Sequence, residues 1–318
     1  AEAGHRSKLL CELDDGAAAV LTDRFEGVKL KSDVRALDCL PESDLVAAGF
    51  PCQDLSQAGR TKGIGGKKSG LIQSVFELIE QARRKPRWLL LENVPFMLQL
   101  ESGKGMTYLV QELNKLGYKH WAYRVVDTRS FGLPQRRRRV ILLASRSEDP
   151  RAVLFADDYE TPKEVPISRA RAVGFYWTEG IRGLGWAIES VPTLKGGSTV
   201  GIPSPPAIWF PSERRFATPA IEDAERLQGF EAGWTEPIID AGIRPSMRWK
   251  LVGNAVSVPV STWIGRRLSE PGDYDDFDDG TMQPGTAWPT AAWGFKTEAR
   301  RAHVGEWAGG EVPPLLSE

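Results

Sequence analysis

The chain has 318 residues, 41 basic and 42 acidic side chains, a net charge of −1 and three cysteines. Its length suits two domains, or one large domain with a smaller insertion, and an apolar share of 41% excludes whole-chain disorder. No apolar run approaches the ~20 residues needed to span a bilayer. The start, AEAGHRSKLLCEL, carries no signal-peptide core, and so few cysteines cannot build a disulfide framework, so a cytoplasmic setting and no membrane partner are expected.

The near-neutral balance excludes a uniformly basic coat but not a basic groove. Arg129 to Arg139 contains five arginines and no acid, whereas Glu270 to Asp279 contains six acids and no base. The first stretch could meet phosphate and the second would repel it.

In chain order, residues 1–145 read as alternating strands and helices. KLLCEL, DLVAAGFPC, RWLLLENV and RRVILLAS are short apolar runs. Between them, Gly70–Arg84 places Leu71, Val75, Leu78, Ile79 and Ala82 on one helical face, and Met106–Leu116 offers another. Such alternation predicts an α/β fold with a parallel sheet covered on both faces. Ligands then sit beyond the carboxyl ends of strands, here at Glu12, Asp33, Pro51–Cys52 and Glu92–Asn93. Residues 146–215 lose the pattern and read as a small, irregular domain. Helical periodicity returns over 216–270. The segment 271–318 is acidic and rich in Pro, Gly and Trp, and is expected to be loosely packed or partly disordered.

Cys52 follows an apolar strand and a proline and precedes a polar, Gly-containing loop, which is where a thiolate nucleophile would be exposed to the crevice. A lone cysteine is more often a buried small hydrophobe, and Cys11 and Cys39, without such flanks, read that way. Glu92 ends an apolar strand, a position that suits a proton donor as well as a solvated strand end. Gln135–Arg139 enters a buried strand, so alternation sends Arg137 and Arg139 to one side and Arg136 and Arg138 to the other. One pair can therefore face the crevice, where guanidinium groups bind phosphate or a base carbonyl. The three histidines (His5, His120 and His303) are scattered, and no metal site is expected.

PCQ at 51–53, ENV at 92–94, QRRRR at 135–139, RLQGF at 226–230 and GNAVSVPV at 253–260 occur together and in order. In that order they resemble the motifs of DNA (cytosine-5) methyltransferases, over roughly residues 5–265. The resemblance implies a Rossmann-like, S-adenosylmethionine-dependent sheet with catalytic segments at 1–145 and 216–270 and a target-recognition region at 146–215. It implies methyl transfer to C5 of a flipped-out cytosine in double-stranded DNA, with S-adenosyl-L-homocysteine as product. Cys52 would attack C6, Glu92 would hold a proton at N3, and Arg139 with Arg137 would bind the base carbonyl and nearby phosphate. Glu12, Asp33, Val34, Pro51, Leu71, Asn254, Ala255 and Val256 would hold the cofactor. The loop Gln53–Lys68 would fold over DNA, with Gln53, Ser56, Arg60, Lys62, Lys67 and Lys68 as contacts and Arg136 beside them. Restriction-modification or phage defence in a bacterial cytoplasm, near the nucleoid, is the implied setting.

The glycine-rich F-x-G-x-G-G strand that opens this family is absent from the sequence. The first strand of the sheet is therefore expected to be missing, through a truncated record, a split enzyme whose second polypeptide supplies it, or loss in a degenerate copy. The alternative is an incomplete or non-catalytic DNA-binding subunit. A related tRNA methyltransferase would carry Cys-Phe-Thr, and a redox or thiol-hydrolase enzyme would need Cys-x-x-Cys or a His partner near Cys52. Neither pattern is visible.

Overall fold

The computed structural model describes residues 2–51, 70–163, 166–176, 185–196, 204–283 and 285–316. β1 (Leu9–Cys11) leads through α1 (Asp15–Arg24) to β2 (Lys29–Lys31), and the two strands pair in parallel as a sheet of their own. The side chain of Asp14 caps α1 by accepting from Ala17 N, leaving one fewer orphan amide at that end.

Next come β3 (Leu45–Gly49), α2 (Leu71–Gln81), β4 (Trp88–Asn93), α3 (Lys104–Lys115), β5 (His120–Asp127), β6 (Gln135–Arg136), β7 (Arg138–Ser145) and the single turn α4 (Arg151–Leu154). The smaller unit contributes β8 (Val173–Phe175), β9 (Ala187–Ile188), β10 (Val191–Pro192), β11 (Ala207–Phe210) and β12 (Arg215–Ala217). The chain then forms α5 (Ile221–Leu227), α6 (Pro237–Asp240), α7 (Arg248–Asn254) and α8 (Val258–Ser269). It ends with β13 (Gly280–Thr281), β14 (Ala291–Phe295) and β15 (Arg300–Arg301).

The main sheet runs β13-β15-β14-β5-β7-β4-β3. It is mixed, not all parallel as the alternation predicted: β3 and β4 are parallel, while β4–β7, β7–β5 and β5–β14 are antiparallel. The reason is the short link between β5 and β7, which cannot make the crossover a parallel pair requires. Alternation along β5 and β7 feeds two cores. Trp121, Tyr123, Val140 and Leu142 meet Ile72, Phe76 and Ile79 of α2 and Leu109 and Leu113 of α3. On the opposite face Ala122, Val126, Ile141 and Leu143 meet Val260 and Ile264 of α8. The face that α2 buries is thus centred on Ile72 and Phe76, while Leu71 and Val75 are only half-buried.

A second sheet, β12-β11-β8-β9, packs Ile208 and Phe210 against Ala224, Leu227 and Val252 of the returning helices. β10 pairs with β6, which ties this unit to the arginine strand.

Two expectations are corrected. The segment after 271 is not loosely packed: β14 extends the main sheet beside β5, and Trp307 and Ala308 are buried. Its acids are absorbed locally, since Asp279 accepts from Trp293 Nε1 and Asp276 pairs with Arg151. Cys11 and Cys39 are both exposed, not packed as small hydrophobes.

Candidate active site

β3 and β4 end side by side, with Gly49 in register with Glu92. A Cβ on Gly49 would lie 3.5 Å from a Glu92 carboxylate oxygen, so the glycine keeps that flank open. Asn93, buried directly after Glu92, donates from Nδ2 to the Phe50 carbonyl at 2.9 Å. That bond fixes the chain where it enters exposed Pro51. Cys52, Gln53, Ser56, Arg60, Lys62, Lys67 and Lys68 lie outside the described residues. Their nearest described neighbours in the chain are Pro51, after β3, and Gly70, before α2.

The arginine run splits as strand alternation predicts. Arg139 Nε meets Glu92 Oε1 at 2.9 Å, with both side chains largely shielded from solvent. Arg137 is 1% exposed, and its two terminal nitrogens donate to the carbonyls of Gly253 (3.0 Å) and Ala255 (2.7 Å). Its Nε has no partner among the described residues. Burial and then the neighbouring Arg139 push its pKa down to about 9, with Glu92 opposing. Burial lowers Arg139 as well, again against Glu92. On the other side, Arg138 pairs with Glu306, and Arg136 donates to Gly185 O at 3.1 Å. Two guanidinium groups therefore lie near one carboxylate that only Arg139 contacts, leaving net positive charge and, among the described residues, one unpartnered buried donor.

Sequence reasoning missed what holds these pieces together. Gln135 and Gln228, both fully buried, sit inside recognised motifs but carry no obvious chemistry. Gln135 Nε2 donates to Leu227 O and Gln228 Oε1, while its oxygen accepts from Leu194 N. Gln228 Nε2 donates to Val252 O, and its oxygen also accepts from Ser257 Oγ. The turn at 253–256 is thus pinned from below. Gly253 allows this closeness, because a Cβ there would lie 2.6 Å from Gly196 N. Gln135 opens β6 and Gln228 directly follows α5, so neither position gave a signal in the sequence, although amides persist in a core only when paired.

Glu12 and Asp33 lie just beyond the ends of β1 and β2, and Glu12 N donates to Lys31 O. The Asp33 carboxylate caps Val34–Ala36 and pairs with Arg35, which holds its pKa below the ordinary range. The Val34–Ala36 turn packs on α2, bringing Val34 to the helix that starts at Leu71. Asp14 reaches Lys250 of α7, drawing this region toward Asn254, Ala255 and exposed Val256. The described residues contain no cluster of three metal-ligating side chains, and no described helix is long and apolar enough to cross a membrane.

The described site is an α/β sheet with acids beyond its parallel strands and a carboxylate–arginine pair at the rim, and the comparisons give its class. A profile of the C-5 cytosine-specific DNA methylase family matches residues 1–181. The Type II methyltransferase M2.BsuMI of Bacillus subtilis (strain 168) is 51% identical over 326 aligned positions, covering 100% of this chain and 83% of that protein. Type II methyltransferase M.NlaX of Neisseria lactamica is 28% identical, covering 81% and 86%. The fold is shared with the crystal structure of S. pombe Dnmt2 methyltransferase (TM-score 0.58, 14% identity, 83% and 91% covered). It is also shared with a putative DNA modification methyltransferase of an E. coli prophage (TM-score 0.53, 16% identity, 85% and 94% covered). The chain belongs to the C-5 cytosine-specific DNA methylase family and is a DNA (cytosine-5) methyltransferase of the restriction-modification type.

Proposed function

We propose that the chain methylates C5 of a flipped-out cytosine in duplex DNA through a covalent bond between Cys52 and C6. The observation that carries this reading is the Glu92–Arg139 pair at 2.9 Å, next to the buried Arg137 Nε that has no described partner. C5 of cytosine is a poor nucleophile until a thiolate adds at C6. C6 is hidden in a stacked duplex, so the base must leave the helix. Cys52 forms the sulfur–C6 bond, and Glu92 holds a proton at N3 while charge builds on the ring. Arg139 and Arg137 donate to the base carbonyl and nearby phosphate, and Arg136 with the 53–68 loop holds phosphate. Loss of the C5 proton to a base then expels the Cys52 thiolate. When bound, S-adenosylmethionine would supply the electrophilic methyl group, with S-adenosyl-L-homocysteine as product.

The residues fit the adenosine half of that cofactor. In this reading Glu12 and Asp33, beyond neighbouring parallel strands, hold the adenosine together with Val34, Pro51, Leu71, Asn254, Ala255 and Val256. For the methionine half the fit fails. Among the described residues neither β1 nor β3 has a partner on its second edge. Lys8, ahead of β1, donates to Glu42 O, ahead of β3, so the two strands start side by side. These open edges support a slot for one more parallel strand, supplied by a preceding segment or by a second polypeptide. They equally favour a second reading, a DNA-binding subunit that gains its cofactor only with a partner chain. We read the setting as the bacterial cytoplasm, close to the nucleoid.

The test is a mechanism trap. Duplex DNA carrying 5-fluorocytosine is incubated with the protein and S-adenosylmethionine, with and without added peptides of about 15–20 residues rich in glycine. A fluorine at C5 cannot leave as a proton, so a denaturation-resistant protein–DNA adduct should accumulate. Cys52→Ser should remove it. An adduct that persists in Cys52→Ser overturns the assignment, and an adduct formed by the unsupplemented chain overturns the need for another strand.

A further inference from the structure

The pole of the main sheet opposite Glu92 carries a second charged feature that the reaction does not use. Because β7 is antiparallel to both β4 and β5, the residues that precede β4 and β5 converge with those that follow β7. Trp88 and His120 both face Ser145 in register. A cavity of about 450 Å³ opens there, lined by Lys85, Arg87, Gly117, Lys119, Arg146 and Ser147.

The charge in this cavity is largely uncompensated. Arg87 is paired with Glu148, and nearby Arg84 with Asp44 at 2.9 Å. Lys85, Lys119 and Arg146 have no carboxylate partner among the described residues; Lys85 Nζ donates only to the Leu116 carbonyl at 3.3 Å. Gly117, at φ +92°, keeps the wall low: a Cβ there would lie 3.8 Å from Arg146 Nε. In a chain of net charge −1, three cations unpaired among the described residues and the Ser147 hydroxyl around one hollow form a focused positive field.

We propose that this cavity holds the phosphodiester backbone of a second DNA segment while the crevice holds the first. Its lining offers cations and a hydroxyl but no aromatic ring on which a base could stack, so it suits sequence-independent phosphate contact. From Arg87 to Glu92 the strand spans roughly 17 Å. A duplex seated at the crevice therefore cannot fill the opposite pole without bending around the domain. The enzyme would hold two segments at once and pass between them without full release.

The test uses the whole chain with a saturating short duplex bearing the target site. A fluorescent duplex lacking that site is then titrated in at low salt and followed by anisotropy. The complex should take up the second duplex with Kd on the order of 10⁻⁶–10⁻⁴ M. The double variant Lys119→Gln/Arg146→Gln should bind it at least about tenfold more weakly, with a salt slope shallower by about 2. Affinity for the first duplex and the thermal melt should stay unchanged. Both substitutions lie on exposed side chains, and Lys85→Gln alone serves as a milder second variant. A complex that takes no second duplex overturns the proposal, as does a double variant that binds it normally. Inorganic tripolyphosphate bound at this pole in dialysis without second-duplex uptake would also overturn it, in favour of a small phosphate ligand.

Discussion

The strands at the Glu12 and Gly49 side of the molecule and the strand at the middle of the main sheet are built from similar sequence and end in opposite conditions. Leu9–Cys11 and Leu45–Gly49 are as apolar as Val140–Ala144, yet their residues are half-buried or exposed, while Val140, Leu142, Leu143 and Ala144 have no exposure at all. The difference is neighbours. β7 has a strand on each side, whereas β1 and β3 each have one described partner. Apolar composition marks a strand as made for a sheet interior, but only pairing on both edges makes it one.

The comparison would be broken most directly by hydrogen exchange. Amides of β3 that point away from β4 should exchange at least about a thousandfold faster than those of β5 and β7, because their opening costs little. Equal protection in the two places, read by mass spectrometry on peptides 44–50 and 138–145, would show that β3 is covered after all.

A smaller effect is expected from the closed middle itself. Arg124 is fully buried on β5 and donates to the carbonyls of Gly305 (2.7 Å) and Leu154 (3.0 Å) as well as to Asp158. Arg124→Ala strands those acceptors and should destabilise the protein by about 3–5 kcal/mol in urea unfolding. A loss under about 1 kcal/mol would mean that the tail is not a working part of this region.

The third effect is smaller and depends on pH. Glu225 is fully buried beneath the small sheet. Burial alone would raise its pKa, but hydrogen bonds from Thr235, Arg248 and Gly233 N outweigh that and hold it below the ordinary 4.5. Its stabilisation is therefore complete above that value and is lost as pH falls through the depressed one. Glu225→Gln should cost about 1–3 kcal/mol at pH 7 and flatten the acid limb of the stability curve. An acid limb unchanged in the variant would move that sensitivity elsewhere.

Legibility followed the same division. β4 and β7 stand out because an apolar run is bounded by Glu92 at one end and Arg138–Arg139 at the other. β5 was not legible. Its sequence, HWAYRVVD, contains Arg124, which single-residue rules put in water and which the fold satisfies with carbonyls from distant segments. β14, AAWGF, is short and small, and its partner lies far back in the chain. The rim residues Glu92 and Arg139 could be read from strand ends alone. Gln135 and Gln228 could not, because their roles exist only once four separate segments have met.

The long-range pairing of β14 also has a consequence during synthesis. Ala291 joins Arg124 on β5. Roughly 170 residues must therefore be translated after β5 before its outer edge can be covered, or about 10–30 s at common elongation rates. Through that interval a hydrogen-bonding edge next to the hydrophobic core stands open on the ribosome. Yield of the native enzyme is then set as much by how fast the last part of the message is read, and by what shields the nascent edge, as by the stability of the finished fold.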